Sequence, residues 1–314
     1  MEMKVMLGGR VYRLLGVFGC ICGMVVSLST ISRCQDRTPG TADSLAVILK
    51  GIDNNLDQVH SARGIYSWRK IVNADPVFKN SNNPAVPGKL YMWLMKGDSF
   101  REDVVSMQPD GSVGGVSITA VVGGHCYYWS PKSKYGTVYD PSKAKENGVI
   151  SSEVSTWLNL AYRYVDHDRV FSHEVMSNSP VVKGKEVIGG SNCFRIEGIS
   201  PKGTKHIWWV AYEEGFCIKR HEWQMELPNA TDVSKYRWVD DATLSKVDND
   251  IWLPSRIEQT CYATLGTDSK ERWAWKNVFE SHALNVNIPI SDDQIRVVFP
   301  PDTNGNTGQN GTKE

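Results

Sequence analysis

Hydrophobic positions along this chain fall into three regimes. From Leu14 to Leu28 they are nearly continuous (LLGVFGCICGMVVSL), from Leu45 to Val59 they recur at helical spacing, and from Arg63 onward they mostly alternate. The continuous run follows Lys4, Arg10 and Arg13 and precedes a small polar segment, SLSTISRCQD. That is the layout of a secretory signal, and the run is shorter than the roughly 20 residues that span a bilayer. Residues 1–35 are therefore expected to be a signal peptide, cleaved after Ser29 or Ser32, each of which ends a small-x-small triplet. An uncleaved amino-terminal anchor is the alternative. Lipid attachment is disfavoured, because Arg33 stands where a small residue should precede Cys34 and Cys20 has too little apolar sequence before it.

In the second regime Leu45, Ile48, Leu49, Ile52, Leu56 and Val59 share one stripe behind Thr41, which predicts an amphipathic helix packed on a sheet. In the third, GIYSWRKIV, KLYMWLMKG, SFREDVVSM, VSITAVV, HCYYWSP and YGTVYD are short runs rich in β-branched and aromatic residues. Turn signals such as Pro109-Asp110-Gly111 and Gly123-Gly124 separate them. A second set of strands runs from VVKGKEVI to SKERWAWKNVFESHAL. Between the sets, residues 151–168 place Val154, Trp157, Leu158, Ala161, Tyr164 and Val165 on one stripe behind a serine cap, predicting an inserted helix. The count is about twelve strands and two substantial helices with no βαβ rhythm, which predicts a mainly β (α+β) fold of antiparallel strands. Residues 36–299 are read as one domain, and 300–314 (PPDTNGNTGQNGTKE) as a disordered polar tail.

Aromatic placement is the most informative feature of the strands. Tyr66/Trp68, Tyr91/Trp93, Tyr127/Trp129, Tyr236/Trp238 and Trp273/Trp275 are i, i+2 pairs, whose side chains share a face in a regular strand. A large filled core explains them. So does a concave sheet whose inner face stays open as an apolar cavity, or a row of sugar-stacking platforms.

Charge narrows the partners. The chain has 35 residues of each sign; removing residues 1–35 leaves 31 positive against 34 negative, a net −3 with no basic cluster. Such a surface makes a poor nucleic-acid binder. Beyond the apolar run the cysteines are Cys34, Cys126, Cys193, Cys217 and Cys261, an odd and widely spaced set that reads as buried free thiols.

Chemical motifs fail on inspection. His173-Glu174 and His221-Glu222 begin a zinc-protease pattern, but Ser177 and Met225 stand where the second histidine is needed. Gly198–Lys205 has the lysine and threonine of a phosphate loop exchanged and lies between strands; Gly189–Cys193 lacks the closing glycine of a nucleophile elbow. Asp166-His167-Asp168 reads as a solvated helix end, and the tail's Asp302–Lys313 lacks the glutamate of a calcium loop. No catalytic set, metal site or cofactor is expected. A hydrolase would need His125, His167, His206 or His221 to converge with carboxylates in a cleft.

The order helix, strands, inserted helix, strands resembles the LolA-like family of outer-membrane lipoprotein-sorting and lipid-carrier proteins. The phrases that carry the resemblance are LYMWLMKGDSFRED, VVGGHCYYWSPKS, WWVAYEEGFCIKRHEW and, most specifically, VDNDIWLPSRIEQTCY. It covers most of residues 41–285, and matches Arg101 to the family's arginine and Trp252 and Pro254 to its W-x-P. The resemblance implies a large curved antiparallel sheet, a half-open β-barrel covered by helices, that shelters lipid without catalysis. The chain departs from the compact carriers in its extra sequence around 140–180 and its polar tail.

The expectation is an exported, non-enzymatic protein of the periplasm or cell envelope that holds lipid or lipoprotein acyl chains. Trp68, Trp93, Trp129, Trp238, Trp252 and Trp273 are its expected lining, with Trp157, Leu158 and Tyr164 as lid. Partners are lipid or acylated lipoprotein and membrane-associated donor or acceptor proteins, with the carrier itself a monomer. A carbohydrate- or peptidoglycan-contacting module is the alternative.

Overall fold

The computed structural model describes residues 4–7, 10–13, 41–75, 78, 88–97, 99–139, 175–226, 233–265 and 270–305. It falls into two units, residues 1–38 and 39–314. In the first, β1 (Lys4–Leu7) pairs antiparallel with β2 (Arg10–Arg13). The expected inserted helix at 151–168, with Trp157, Leu158 and Tyr164, lies outside the described residues.

The second unit opens with helix α1 (Thr41–Asp57), which buries Ile48, Leu49, Ile52 and Leu56, most of the stripe that its spacing predicts. A first meander follows: β3 (Ser61–Val72), β4 (Lys89–Lys96), β5 (Ser99–Met107), β6 (Val113–Val122), β7 (His125–Ser130) and β8 (Tyr135–Tyr139). The second comprises β9 (Val181–Ile188), β10 (Ser191–Ile199), β11 (Lys205–Ala211), β12 (Cys217–Glu226), β13 (Val233–Asp248), β14 (Ile251–Leu265) and β15 (Glu271–Val286). All thirteen strands form one antiparallel sheet, ordered β8-β7-β6-β5-β4-β3-β15-β14-β13-β12-β11-β10-β9. The chain thus walks from β3 out to one edge, restarts at the other, and returns to set β15 against β3. Among the described residues β8 and β9 do not pair, so the sheet is open.

Packing shows that the sheet is strongly curved. One buried cluster joins α1 to Tyr66 and Trp93 on β3 and β4 and to Ile196, Trp208 and Val210 on β10 and β11. In a flat sheet β4 and β10 would stand about 34 Å apart at roughly 4.8 Å per strand, while a helix is only about 10–12 Å across. Both wings reach α1 because the sheet wraps around it. Register shifts in β10–β15, at Arg195/Ile196, Trp209/Val210, Thr243/Leu244, Cys261/Tyr262 and Ser281/Ala283, supply bends that such wrapping requires. Pro254, which cannot donate to a ladder, sits at one of these shifts.

The C-terminal segment covers the other face. After the short helix α2 (Asp292–Ile295), Val297 and Phe299 bury against Ile118, Ala120, Tyr127, Trp129 and Val138. Gly136 makes this close approach possible, since a Cβ there would lie 2.6 Å from the Phe299 ring. The first residues of the polar tail are held as well: Asn304 bridges Tyr135, and the Lys134 ammonium pairs with Asp302 at 2.7 Å. Cys126, Cys193 and Cys261 are buried free thiols and Cys217 is a half-buried one, with Cys193 and Cys217 two strands apart.

Candidate functional site

Strand alternation and the observed registers assign each side chain to a face. The α1 side carries Tyr66 and Trp68 on β3 and, on β4, Tyr91 directly across from Tyr66 and Trp93 across from Gly64. These pairs are core. Trp68 is 5% exposed and Trp93 2%, with Trp93 stacked on Tyr66 at 6.0 Å. Gly64 leaves the room, because a Cβ there would lie 2.6 Å from the Trp93 indole nitrogen.

Beyond α1 the concave face continues across β11–β15, and its rows differ in chemistry. One row is apolar: Trp223, Trp238, Cys261 and Trp275 lie opposite one another in sequence of strands. Two residues along, the next row is polar: His221, Asp240, Gln259 and Asn277, with Lys70 of β3 at its end. The following row is apolar again, Ala242, Ile257, Phe279 and Trp68. Rows two residues apart are separated by about 7 Å. The result is a trough with a polar stripe across its floor.

Aromatic rings dominate one wall. His206, Trp208, His221, Trp223 and Trp238 form a continuous stack with centroids 4.9–5.4 Å apart and Tyr236 tilted at its end. Trp208 is fully buried beside α1, while Trp223, Trp238 and Tyr236 are half-buried. Neighbouring strands hold these rings parallel, so each covers its neighbour's face.

The polar row is internally bonded. Asn277 Nδ2 donates to Gln259 Oε1 at 2.9 Å, and the Gln259 side chain hydrogen-bonds Asp240. His221 Nδ1 stands 4.0 Å from Asp240 Oδ2, and His221 Nε2 is 3.1 Å from His206 Nδ1. Burial pushes the Asp240 carboxyl up to about 7. Burial, helped by His206, pushes the His221 imidazole down to about 3, and burial lowers His206 as well. Of the four histidines weighed for a hydrolase, two therefore meet each other, and one of them, His221, stands 4.0 Å from a carboxylate. His125 lies away from them at the start of β7, His167 is outside the described residues, and no hydroxyl or thiol among the described residues bonds His206. No described group of three or more His, Cys, Asp or Glu could hold a metal ion.

The other expected lining residues separate. Trp129 lies opposite Ile118 on the convex face, under the C-terminal segment. Trp273 and Trp275 are split by the bulge at Ala274: they oppose Tyr262 and Cys261, adjacent residues whose side chains alternate, so only Trp275 reaches the trough. Trp252 serves α1 instead. The Asn55 amide accepts from its N–H at 3.1 Å and donates to its carbonyl at 2.8 Å. Arg101 is a strut: it pairs with Asp103 at 2.8 Å and donates to the Gln294 and Arg296 carbonyls at 3.3 Å. Trp238 is thus the expected lining residue that lies half-buried on the concave face beyond α1. Trp223, Trp275 and the polar row went unselected. Their signal was the same alternation, read two residues further: His221/Trp223 and Trp238/Asp240.

On the convex face ion pairs run between strands, including Arg195–Glu186, Arg220–Asp241 and Arg237–Glu271. A cavity of about 410 Å³ opens beside them at the ends of β9–β12, where Lys183, Glu197, Glu222 and Arg237 line it with charge of both signs. No helix among the described residues is long and apolar enough to cross a membrane.

No family model matches the sequence, and no curated protein matches it. Among solved structures, a DUF1329 family protein from Desulfovibrio piger is 10% identical, covering 82% of this chain and 98% of its own, with a TM-score of 0.49. A putative outer membrane lipoprotein-sorting protein domain from Vibrio parahaemolyticus is 10% identical over 80% and 97%, TM-score 0.45. A LolA superfamily protein from Nitrosomonas europaea is 12% identical over 82% and 99%, TM-score 0.42.

Proposed function

We propose that this chain is an exported binding or carrier protein that holds an apolar ligand, a lipid or the acyl chains of a lipoprotein, against the concave face of its open sheet. The observation that carries the reading is the half-buried Trp223–Trp238–Trp275 row, which continues the concave face past α1 and is followed, across the polar row, by a second apolar row. Each methylene group moved from water onto such a surface gains about 0.8 kcal/mol, so a chain of twelve or more carbons gains enough to bind. Export follows from the amino-terminal signal, residues 1–35, with residues 36–299 as the working domain. Residues 151–168, bearing Trp157, Leu158 and Tyr164, act as lid, and the partners are membrane-associated donors or acceptors of the ligand.

Chemistry favours this over the two other readings. Sugar platforms present the flat face of a ring, whereas here the rings lie parallel at 4.9–5.4 Å and cover one another. A hydrolase needs a nucleophile or an activated water beside the histidines, and His206 bonds only His221 among the described residues.

Protein purified from a membrane-containing host is extracted with organic solvent and analysed by mass spectrometry, and the stripped protein is titrated with a fluorescent acyl probe. Co-purifying lipid and saturable, micromolar probe binding are expected. Neither lipid nor probe binding would overturn the carrier reading.

A further inference from the structure

The polar row leaves two buried oxygens without a partner, and both are acceptors. Asn277 spends its amide N–H on Gln259 and Gln259 bonds Asp240, an arrangement that fixes both amide orientations along the row. Asn277 Oδ1 and Asp240 Oδ1 remain buried with no hydrogen bond. His221 Nδ1, at 4.0 Å from Asp240 Oδ2, is too far to bond. No lysine or arginine among the described residues pairs with Asp240; its neighbour Asp241 faces the convex side and takes Arg220 at 2.6 Å. Lys70, the other charged member of the row, starts three strands away on β3; its ammonium lies over the Trp275 ring and its charge acts on Cys261 of β14. Buried acceptors of this kind are costly unless something donates to them.

We infer that this row is a headgroup subsite: an amphiphile whose chain lies along the flanking apolar rows sets a primary ammonium group against the free oxygen of Asp240. The inference rests on the trough holding an amphiphile at all. Position supports it, because the row lies between two apolar rows about 7 Å to either side, within reach of the head of a chain lying on either. Charge selects the head. A cationic donor bonds the Asp240 oxygen and neutralises a carboxylate held away from water, a hydroxyl bonds it without the charge, and a phosphate or carboxylate is repelled.

Three twelve-carbon amphiphiles separate these outcomes. Dodecylammonium, dodecanol and dodecanoate are titrated calorimetrically, below their micelle concentrations and at pH 8, into protein freed of co-purified lipid. Dodecylammonium is expected to bind at least tenfold tighter than dodecanol, with dodecanoate weakest. In Asp240→Asn the ammonium-to-alcohol ratio should fall below twofold. If dodecanol and dodecylammonium bind wild type equally, or the tenfold ratio survives in Asp240→Asn, the headgroup inference is wrong and the trough stands. If none of the three binds, the trough reading falls and this inference with it.

Discussion

Asp240 and His221 face each other across β12 and β13 with opposite shifts, and their effects on stability have opposite signs. Asp240 is raised from 3.8 to about 7 in the folded protein, so its contribution is complete below pH 3.8 and is lost as pH rises through 7. His221 is lowered from 6.5 to about 3, so its contribution is complete above pH 6.5 and is lost as pH falls through 3. Between about pH 4 and 6.5 the folded protein keeps one proton on Asp240 while the unfolded chain keeps one on His221, and the two slopes cancel. Single substitutions should therefore expose them. Relative to wild type, Asp240→Asn should gain stability as pH rises from about 4 to 7, and His221→Gln should lose it from about 3 to 6.5. Neither slope should exceed about 1.4 kcal/mol per pH unit, the value for one proton, because the side chains keep 15% and 26% exposure. Urea denaturation across this range is the measurement; parallel curves for all three proteins would contradict the pairing. The thiols give a simpler expectation. Burial pushes Cys126, Cys217 and Cys261 up to about 12 and Cys193 to about 11, so a thiolate-specific reagent should leave all four unlabelled until the protein is unfolded.

Helix α1 illustrates how one element is fixed both by its own pattern and by a partner invisible in that pattern. The stripe from Ile48 to Leu56 is legible at helical spacing, and it is buried as read. Asn55, on the same helix and only 4% exposed, has no place in an apolar stripe. Its amide satisfies both backbone groups of Trp252 across almost two hundred residues of chain. Asn55→Ala should destabilise by roughly 2 kcal/mol, since two buried backbone groups lose their partner, as read by the urea midpoint at constant slope. The C-terminal segment was less legible. Val297 and Phe299 continue an alternating run, yet their place over β6–β8 depends on Gly136 and on Arg101 reaching the carbonyls of α2 and Arg296.

At the scale of the molecule, openness and curvature decide which aromatics face a ligand. Trp129 and Trp238 are each the second member of a Tyr-x-Trp pair and look equivalent in sequence; one is roofed by Phe299 on the convex face and the other stands in the trough. Trp238→Ala should weaken acyl-probe binding at least fivefold. Trp129→Ala should lower the urea midpoint and leave probe affinity within twofold of wild type. Equal losses in the two variants would move the site away from the trough.

By itself the sequence determined the local alternations: which runs are strands, where the amphipathic helix lies, and that thiols rather than disulfides occupy the strands. Those follow from side-chain period, which each segment carries within itself. Tertiary structure decided which face each strand turns inward and which residues stand in one row. Those choices depend on register between strands more than two hundred residues apart and on single-residue bulges, as at Ala274, where one extra residue sends Trp273 and Trp275 to opposite faces. The polar row of His221, Asp240, Gln259 and Asn277 is written on four strands, one residue each. It exists only once the pairing brings them side by side.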